Sequence, residues 1–326
     1  MALSSHSDVS PPESDGPRFS SAVPACVKET CFEYKDVVFP KIMTPQSLEY
    51  LENMDVRPDD LFLITYAKSG TTWMQQIMLL VSFEGDTSKL EGDHVLFRIP
   101  FLEIVSTRNH PNDMATARGY ADVVRDWDSP RMMKSHALPK FLPPAIRPDQ
   151  PKAKVIYVVR NPKDAAVSYY HFCRYLQGMP AYESWDVFFE EFIAGRAPQG
   201  SWFENVLPWW KKRHHPNVLF LKFEDMKKDP RGAVVQVARF MGKFLRDEVI
   251  DRIVEDSSFG SMKQSANSNP DFILKRREEG KKEGASFMRK GAVGNWKEYF
   301  TEEQNHRFDE LYEKEMEGTG LELQFE

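Results

Sequence analysis

The sequence predicts an α/β fold, a single domain with a central parallel sheet flanked by helices. Short apolar runs of strand length recur along the chain, at Leu61–Tyr66, Arg131–Ser135, Val155–Val159 and Val218–Phe223. The last two are nearly continuous in apolar residues, as strands buried on both faces are. Helical patterns follow directly on the first and third runs, and strand–helix alternation lays strands parallel with helices over the faces. No composition break follows the first residues, and no repeat has a solenoid or propeller period.

Taken in order, residues 1–30 are rich in Ser, Pro and small polar residues with little to bury, and read as a disordered extension before a domain spanning 31–326. Leu61–Tyr66 is the first strand of the sheet, and Trp73–Val81 after it is made of good helix formers. Val155–Val159 leads into a helix over Lys163–Leu176. Trp185–Ile193 and Val234–Phe240 read as amphipathic helices, and Glu302–Glu317 as the last one. Lys275–Glu283 is densely charged, lies between Asn269-Pro270 and Gly284, and reads either as a surface lid or as a solvated segment without a role.

Composition narrows the function classes. Of 326 residues, 41% are apolar and 13% aromatic, enough for a substantial core. The formal charge is −6, against the basic balance expected of a general nucleic-acid binder, so any polyanion site is local. Cys26, Cys31 and Cys173 have no zinc spacing and suggest no disulfide framework; they read as two thiols near a loose terminus and one on a helix. The first residues lack the basic and apolar regions of a secretory signal, and no apolar run reaches about 18 residues. A cytoplasmic protein without a membrane contact is the expectation.

Three constellations carry chemistry. Tyr66-Ala67-Lys68-Ser69-Gly70-Thr71-Thr72-Trp73 passes from strand through tight turn to helix. Gly70 allows close backbone approach to a ligand. The helix start offers unpaired amides and partial positive charge, and Lys68 adds a full charge beside the hydroxyls of Ser69, Thr71 and Thr72. An ordinary N-cap would also favour Ser and Thr, but it does not call for the lysine. Because Lys68 precedes Gly70, this is not the Walker order.

Asn161 and Pro162 then form a second helix start after Val155–Val159, leaving Arg160 at the carboxyl end of a strand, where open α/β sheets bind ligands. Alone, Arg160 suits a structural carboxylate as well as a phosphate; beside the first loop it reads as a second anion contact. Lys134 and His136, two residues apart near a strand end, form the third constellation, with the imidazole able to accept a proton near pH 7. No histidine spacing suggests a metal.

Together these pieces resemble the cytosolic sulfotransferase family. The family's 5′-phosphosulfate loop Y-P-K-S-G-T-T-W matches Tyr66–Trp73 with Ala67 for proline. Its 3′-phosphate motif matches Tyr157–Asp164 running on to Ser168–Phe172; K-[ST]-H matches Lys134-Ser135-His136; R-K-G-x-x-G-D-W-K matches Arg289–Lys297. The resemblance runs from about residue 32 to the end, with the motifs in family order. It implies a P-loop-NTPase-like sulfotransferase fold and 3′-phosphoadenosine-5′-phosphosulfate (PAPS) as sulfuryl donor, with 3′,5′-adenosine bisphosphate (PAP) as its product. Lys68, Ser69, Gly70, Thr71, Thr72 and Trp73 would hold the 5′-phosphosulfate and adenine. Arg160, Ser168, Arg289, Lys290 and Gly291 would grip the 3′-phosphate, with Ser257, Phe259 and Phe223 near the adenine. Lys134 and His136 would face the sulfuryl group and acceptor, and Phe39, Phe101 and Phe172 would line an aromatic pocket for a small hydroxyl (or amine) acceptor such as a phenol or sterol.

The sequence also departs from the family. Phe223 stands where many members carry a tyrosine, and Asn295 where aspartate is usual. The dimer signature K-x-x-x-T-V-x-x-x-E becomes Lys297…Thr301-Glu302…His306, so a monomer or weak dimer is expected. The mechanism expected is in-line sulfuryl transfer with His136 as general base, Lys68, Lys134 and Ser168 assisting, and no metal. Competing readings are a sulfotransferase-like dehydratase, a nucleotide kinase, which needs a lysine after the loop glycine, and a non-catalytic nucleotide-binding protein.

Overall fold

In the computed structural model, residues 23–105, 119–274, 276–277 and 286–326 are described. A hairpin of β1 (Cys31–Tyr34) and β2 (Val37–Pro40) precedes the main sheet of β3 (Leu61–Thr65), β4 (Met132–Ser135), β5 (Lys154–Val159) and β6 (Val218–Lys222). The sheet order is β4-β3-β5-β6 with every pair parallel, as the alternation predicted.

Side-chain alternation along these strands builds two apolar layers. Phe62, Ile64, Val155, Tyr157 and Val159 face one layer; Leu61, Leu63, Ile156 and Val158 face the other. The first layer is closed by α6 (Pro162–Tyr175), α7 (Trp185–Ile193), α8 (Trp202–Lys211) and α13 (Glu302–Met316), through Tyr169, Phe188, Trp209 and Phe308. The second is closed by α3 (Thr71–Ser82), α10 (Pro230–Phe240) and α11 (Asp247–Asp256), through Met78, Val234 and Ile253. Shorter helices fill the connections: α1 (Ala25–Thr30), α2 (Pro45–Glu52), α4 (Val95–Arg98), α5 (Tyr120–Val123), α9 (Phe223–Lys228) and α12 (Phe259–Gln264).

Three expectations need correction. The extension does not run to residue 30: Ala25–Thr30 is helical, and Val27 is fully buried in the first layer. Cys31 is likewise a buried strand residue rather than a loose thiol, because it pairs opposite Pro40 in the hairpin. Phe223 opens α9 instead of ending β6. Residues 1–22 lie outside the described residues, as do Lys275 and 278–283 of the charged segment. Arg276 and Arg277 are described, and they lie against the end of α6, where the Arg277 amide donates to the Tyr175 carbonyl at 3.0 Å.

Candidate active site

The first loop leaves β3 at Thr65 and enters α3 at Thr71, and its tightness is visible in the backbone. Lys68 and Gly70 have φ of +68° and +96°. A Cβ on Gly70 would lie 2.7 Å from the Phe223 ring, so a larger residue would displace that ring. Gly70 offers no side-chain cap to α3, which leaves the amides of the first turn directed outward. Ser69 is fully buried, and its hydroxyl has no partner among the described residues. The Lys68 ammonium sits over the rings of Phe172 at 4.3 Å and Phe287 at 3.8 Å. Its pKa is lowered to about 7, chiefly by enclosure away from water and then by the Arg160 cation.

Arg160 follows β5 and reaches the same loop. Its guanidinium donates to the carbonyls of Lys68 (3.3 Å) and Ala292 (2.9 Å), lies over the Phe223 ring at 4.7 Å, and has a buried Nε with no partner among the described residues. Asn161 caps α6 by accepting from the Asp164 amide at 2.8 Å. Asp164 in turn accepts from the amides of Gly294 (2.8 Å) and Trp296 (3.0 Å), which ties the C-terminal motif to the start of α6. Lys68, Ser168 and Arg289 line one small cleft with Phe287. Gly291 has φ +60°, and a Cβ there would come within 2.8 Å of the Phe259 ring. Trp73 meets Phe223 edge to face at 5.7 Å.

Two expected donor-site residues are already engaged with protein groups. Lys290 pairs with Glu298 at 2.7 Å. The Ser257 hydroxyl donates back to the Ile253 carbonyl of α11 at 2.6 Å.

Lys134 and His136 meet at the end of β4. The Lys134 ammonium donates to Gln75 Oε1 at 3.0 Å; the Gln75 amide nitrogen donates to the carbonyls of Val95 (3.1 Å) and Ile99 (2.9 Å), which fixes its oxygen toward the lysine. His136 Nδ1 lies 2.9 Å from both the carbonyl and the hydroxyl oxygen of Thr65, and the hydroxyl has a second partner in the Thr71 hydroxyl at 2.8 Å. A carbonyl oxygen only accepts, so Nδ1 carries the proton and Nε2 keeps a lone pair. The ring meets Phe101 edge to face at 4.6 Å. Burial, then the Lys134 cation, lowers the His136 pKa to about 3, so the imidazole is neutral at working pH. Burial also lowers the Lys134 pKa to about 7, against the opposing pull of Glu103.

Of the three phenylalanines expected to line an acceptor pocket, Phe101 lies against His136 and Phe172 under Lys68. Phe39 packs instead in the core, edge to face on Phe141 at 5.2 Å and 1% exposed. Sequence reasoning missed Thr65, Gln75, Glu103 and Phe287. The only available signal was polarity out of place: Gln75 interrupts an apolar helix face, and Glu103 sits in the apolar run Phe101–Val105. Among the described residues no group of acidic, histidine or cysteine side chains could hold a metal ion, and no helix is long and apolar enough to cross a membrane.

Comparison with known proteins identifies the family and the fold. The model of the sulfotransferase domain matches residues 58–320. Dog sulfotransferase 1A1 is 41% identical over 281 residues, covering 85% of this chain and 90% of its own. Human sulfotransferase 1C2 is 38% identical over 278 residues, covering 85% and 90%. Among solved structures, a retinol dehydratase in complex with retinol and PAP superposes with a TM-score of 0.74 at 27% identity, covering 86% of this chain and 89% of that one. Mouse sulfotransferase SULT7A1 complexed with PAP gives 0.70 at 30% identity, covering 89% and 96%.

Proposed function

The chain belongs to the sulfotransferase family, and from that premise we propose that it transfers a sulfuryl group from PAPS to the hydroxyl of a small, flat acceptor with His136 as general base. What carries this reading is the set of unsatisfied donors gathered at the carboxyl ends of β3 and β5. Among the described residues the Ser69 hydroxyl and Arg160 Nε are buried without partners, and the first turn of α3 has no side-chain cap. Such groups cost free energy when left unpaired and are satisfied by a phosphate or sulfate. The relatives crystallised with PAP support the nucleotide half of the reading.

The donor brings the activated sulfuryl group; the remaining work falls to this chain. Lys68 and the loop amides stabilise the charge that develops on the departing phosphate oxygen. Lys134, held by Gln75, is directed at the sulfuryl oxygens. Each preorganised donor of this kind contributes about 3–4 kcal/mol when removed singly. His136 Nε2 takes the acceptor proton, an effect on the order of 10²–10⁴-fold. Arg160 and Arg289 grip the 3′-phosphate, and Ser168 shares a cleft with Arg289 and Lys68. No metal is required on this reading, because cations of the chain meet the developing charge.

Calorimetric titration with PAP against ATP–Mg²⁺ tests the donor half. Tight PAP binding that weakens in Arg160→Ala is expected; ATP–Mg²⁺ binding with indifference to PAP would return the kinase reading. His136→Ala should keep PAP affinity while losing turnover of labelled PAPS, and loss of affinity instead would reassign the histidine. A sulfated product of stable mass separates transfer from the dehydratase reading.

A further inference from the structure

We infer that Glu103 is a positioning residue for His136, its carboxyl group holding the main chain beyond β4 so that the imidazole stands where an acceptor hydroxyl arrives. The inference rests on the proposed role of His136 as proton acceptor.

β4 pairs with β3 only as far as Ser135, opposite Ile64. The next two residues therefore leave the ladder with amides that need other acceptors. Glu103 Oε1 supplies them, accepting from the His136 amide at 2.8 Å, the Ala137 amide at 2.7 Å and the Ser135 hydroxyl at 2.6 Å. On the carbonyl side the same two peptides are held by Asn205, whose Nδ2 donates to the oxygens of His136 (3.0 Å) and Ala137 (3.4 Å). Asn205 is oriented by the Tyr157 hydroxyl, which donates to its Oδ1 at 2.6 Å. The peptide that bears the imidazole is thus clamped from both sides by side chains rather than by a neighbouring strand.

Glu103 is itself fixed. It is fully buried, and its own carbonyl accepts from the Ser47 hydroxyl at 2.7 Å. The flanking residues lie beside β4: the Leu102 amide donates to the Lys134 carbonyl at 3.0 Å, and the Lys134 amide to the Pro100 carbonyl at 2.9 Å. One segment, 100–103, therefore sets the height of both Lys134 and His136, and it presents Phe101 to the imidazole as well. The second carboxyl oxygen, Oε2, is buried without a partner among the described residues. An acid left half-unsatisfied in the interior is a costly way to tie down a loop. The cost is understandable where placement of the reacting group matters, since a displacement of about 1 Å costs on the order of 100-fold in rate.

The test uses the full-length protein with labelled PAPS and 4-nitrophenol as acceptor, calorimetry with PAP, and long-range ¹H–¹⁵N spectra of the histidine rings. Glu103→Ala should lower kcat by about 100-fold while the PAP Kd stays within about twofold of the wild type, and the His136 ring should change from a single Nδ1–H tautomer to a mixture. Glu103→Gln keeps an acceptor oxygen at the same reach and should restore both the rate and the single tautomer. Should the alanine variant fail to fold, Glu103→Asp keeps a carboxyl group but shortens the reach by one methylene, and it should lose rate and tautomer purity as alanine does. Wild-type kcat and tautomer in the Asp or Ala variant would overturn the positioning role, as would equal loss of kcat and PAP affinity. A wild-type rate in His136→Ala would instead remove the premise, an outcome read independently of any Glu103 variant.

Discussion

At the scale of single residues, the active-site cations are held near their own neutralisation point, and that sets a pH dependence. Lys68 and Lys134 have pKa values lowered to about 7, because enclosure penalises the charged form. Each loses its charge as pH rises through that value, so kcat/KM for the donor should decline above about pH 7. A bound anion favours the charged lysines, so the limb in kcat should lie at higher pH than the limb in kcat/KM. His136, with its pKa lowered to about 3, is already neutral and should add no acid limb near pH 6. Rate profiles between about pH 5.5 and 9.5 check this; coincident alkaline limbs would contradict it. Gln75 gives a sharper version of the same argument. Gln75→Leu removes the acceptor of Lys134 and should lower kcat by roughly tenfold, equivalent to about 1.4 kcal/mol, with PAP affinity unchanged. Gln75→Glu places an opposite charge against the ammonium and should move the alkaline limb to higher pH.

At the scale of elements, the site is a junction of helix starts, and its joints are single side chains. Asp164 near the start of α6 holds the amides of Gly294 and Trp296. Removing its carboxylate strands two N–H groups and frees the Arg289–Lys297 stretch from the sheet, so Asp164→Ala should cost about 1–3 kcal/mol of stability and weaken PAP binding; denaturant melts and calorimetry on the same variant check both. At the other start, Gly70→Ala meets a positive φ and the Phe223 ring together, and it should lower the melting temperature and PAP affinity in parallel. These joints explain what the sequence could and could not convey. β3, β5 and the helices after them were legible because an apolar run followed by an N-cap and a helix former is a local pattern. α8 was not, since Pro208 interrupts its pattern while tertiary packing of Trp202 and Trp209 keeps it helical. The hairpin of β1 and β2 also escaped notice: its two-residue turn is Lys35-Asp36, both at positive φ, without the usual Asn-Gly signal. Glu103 and Gln75 act through contacts 32 or more residues away in sequence, at Ser135, His136 and Lys134, except for the Gln75 contacts with α4 and Ile99. No local pattern conveys those.

At the scale of the whole molecule, the remaining question is whether the chain works alone, and the segment that resembles the family's dimer signature bears on it. Lys297 pairs with Glu326 at 2.7 Å within the same chain. Thr301 is committed as the N-cap of α13, accepting from the Gln304 amide, while Gln304 Oε1 accepts from the Thr301 amide in return. Glu302, in the position of the signature's valine, is exposed on the first turn of that helix, and His306, in the position of its glutamate, points outward beside Glu310. Two copies meeting here would bring a pair of carboxylates together where an apolar contact is needed, and would replace a charge pair with an imidazole. Exposed charges of this kind return little attraction to offset their desolvation. The chain should therefore sediment as a monomer of 37.8 kDa at micromolar concentration. The double substitution Glu302→Val with His306→Glu should promote a dimer, because it supplies an apolar centre and an acid to pair with Lys297 of a second copy. A wild-type dimer that the double substitution does not strengthen would place the contact between copies on another face of the molecule.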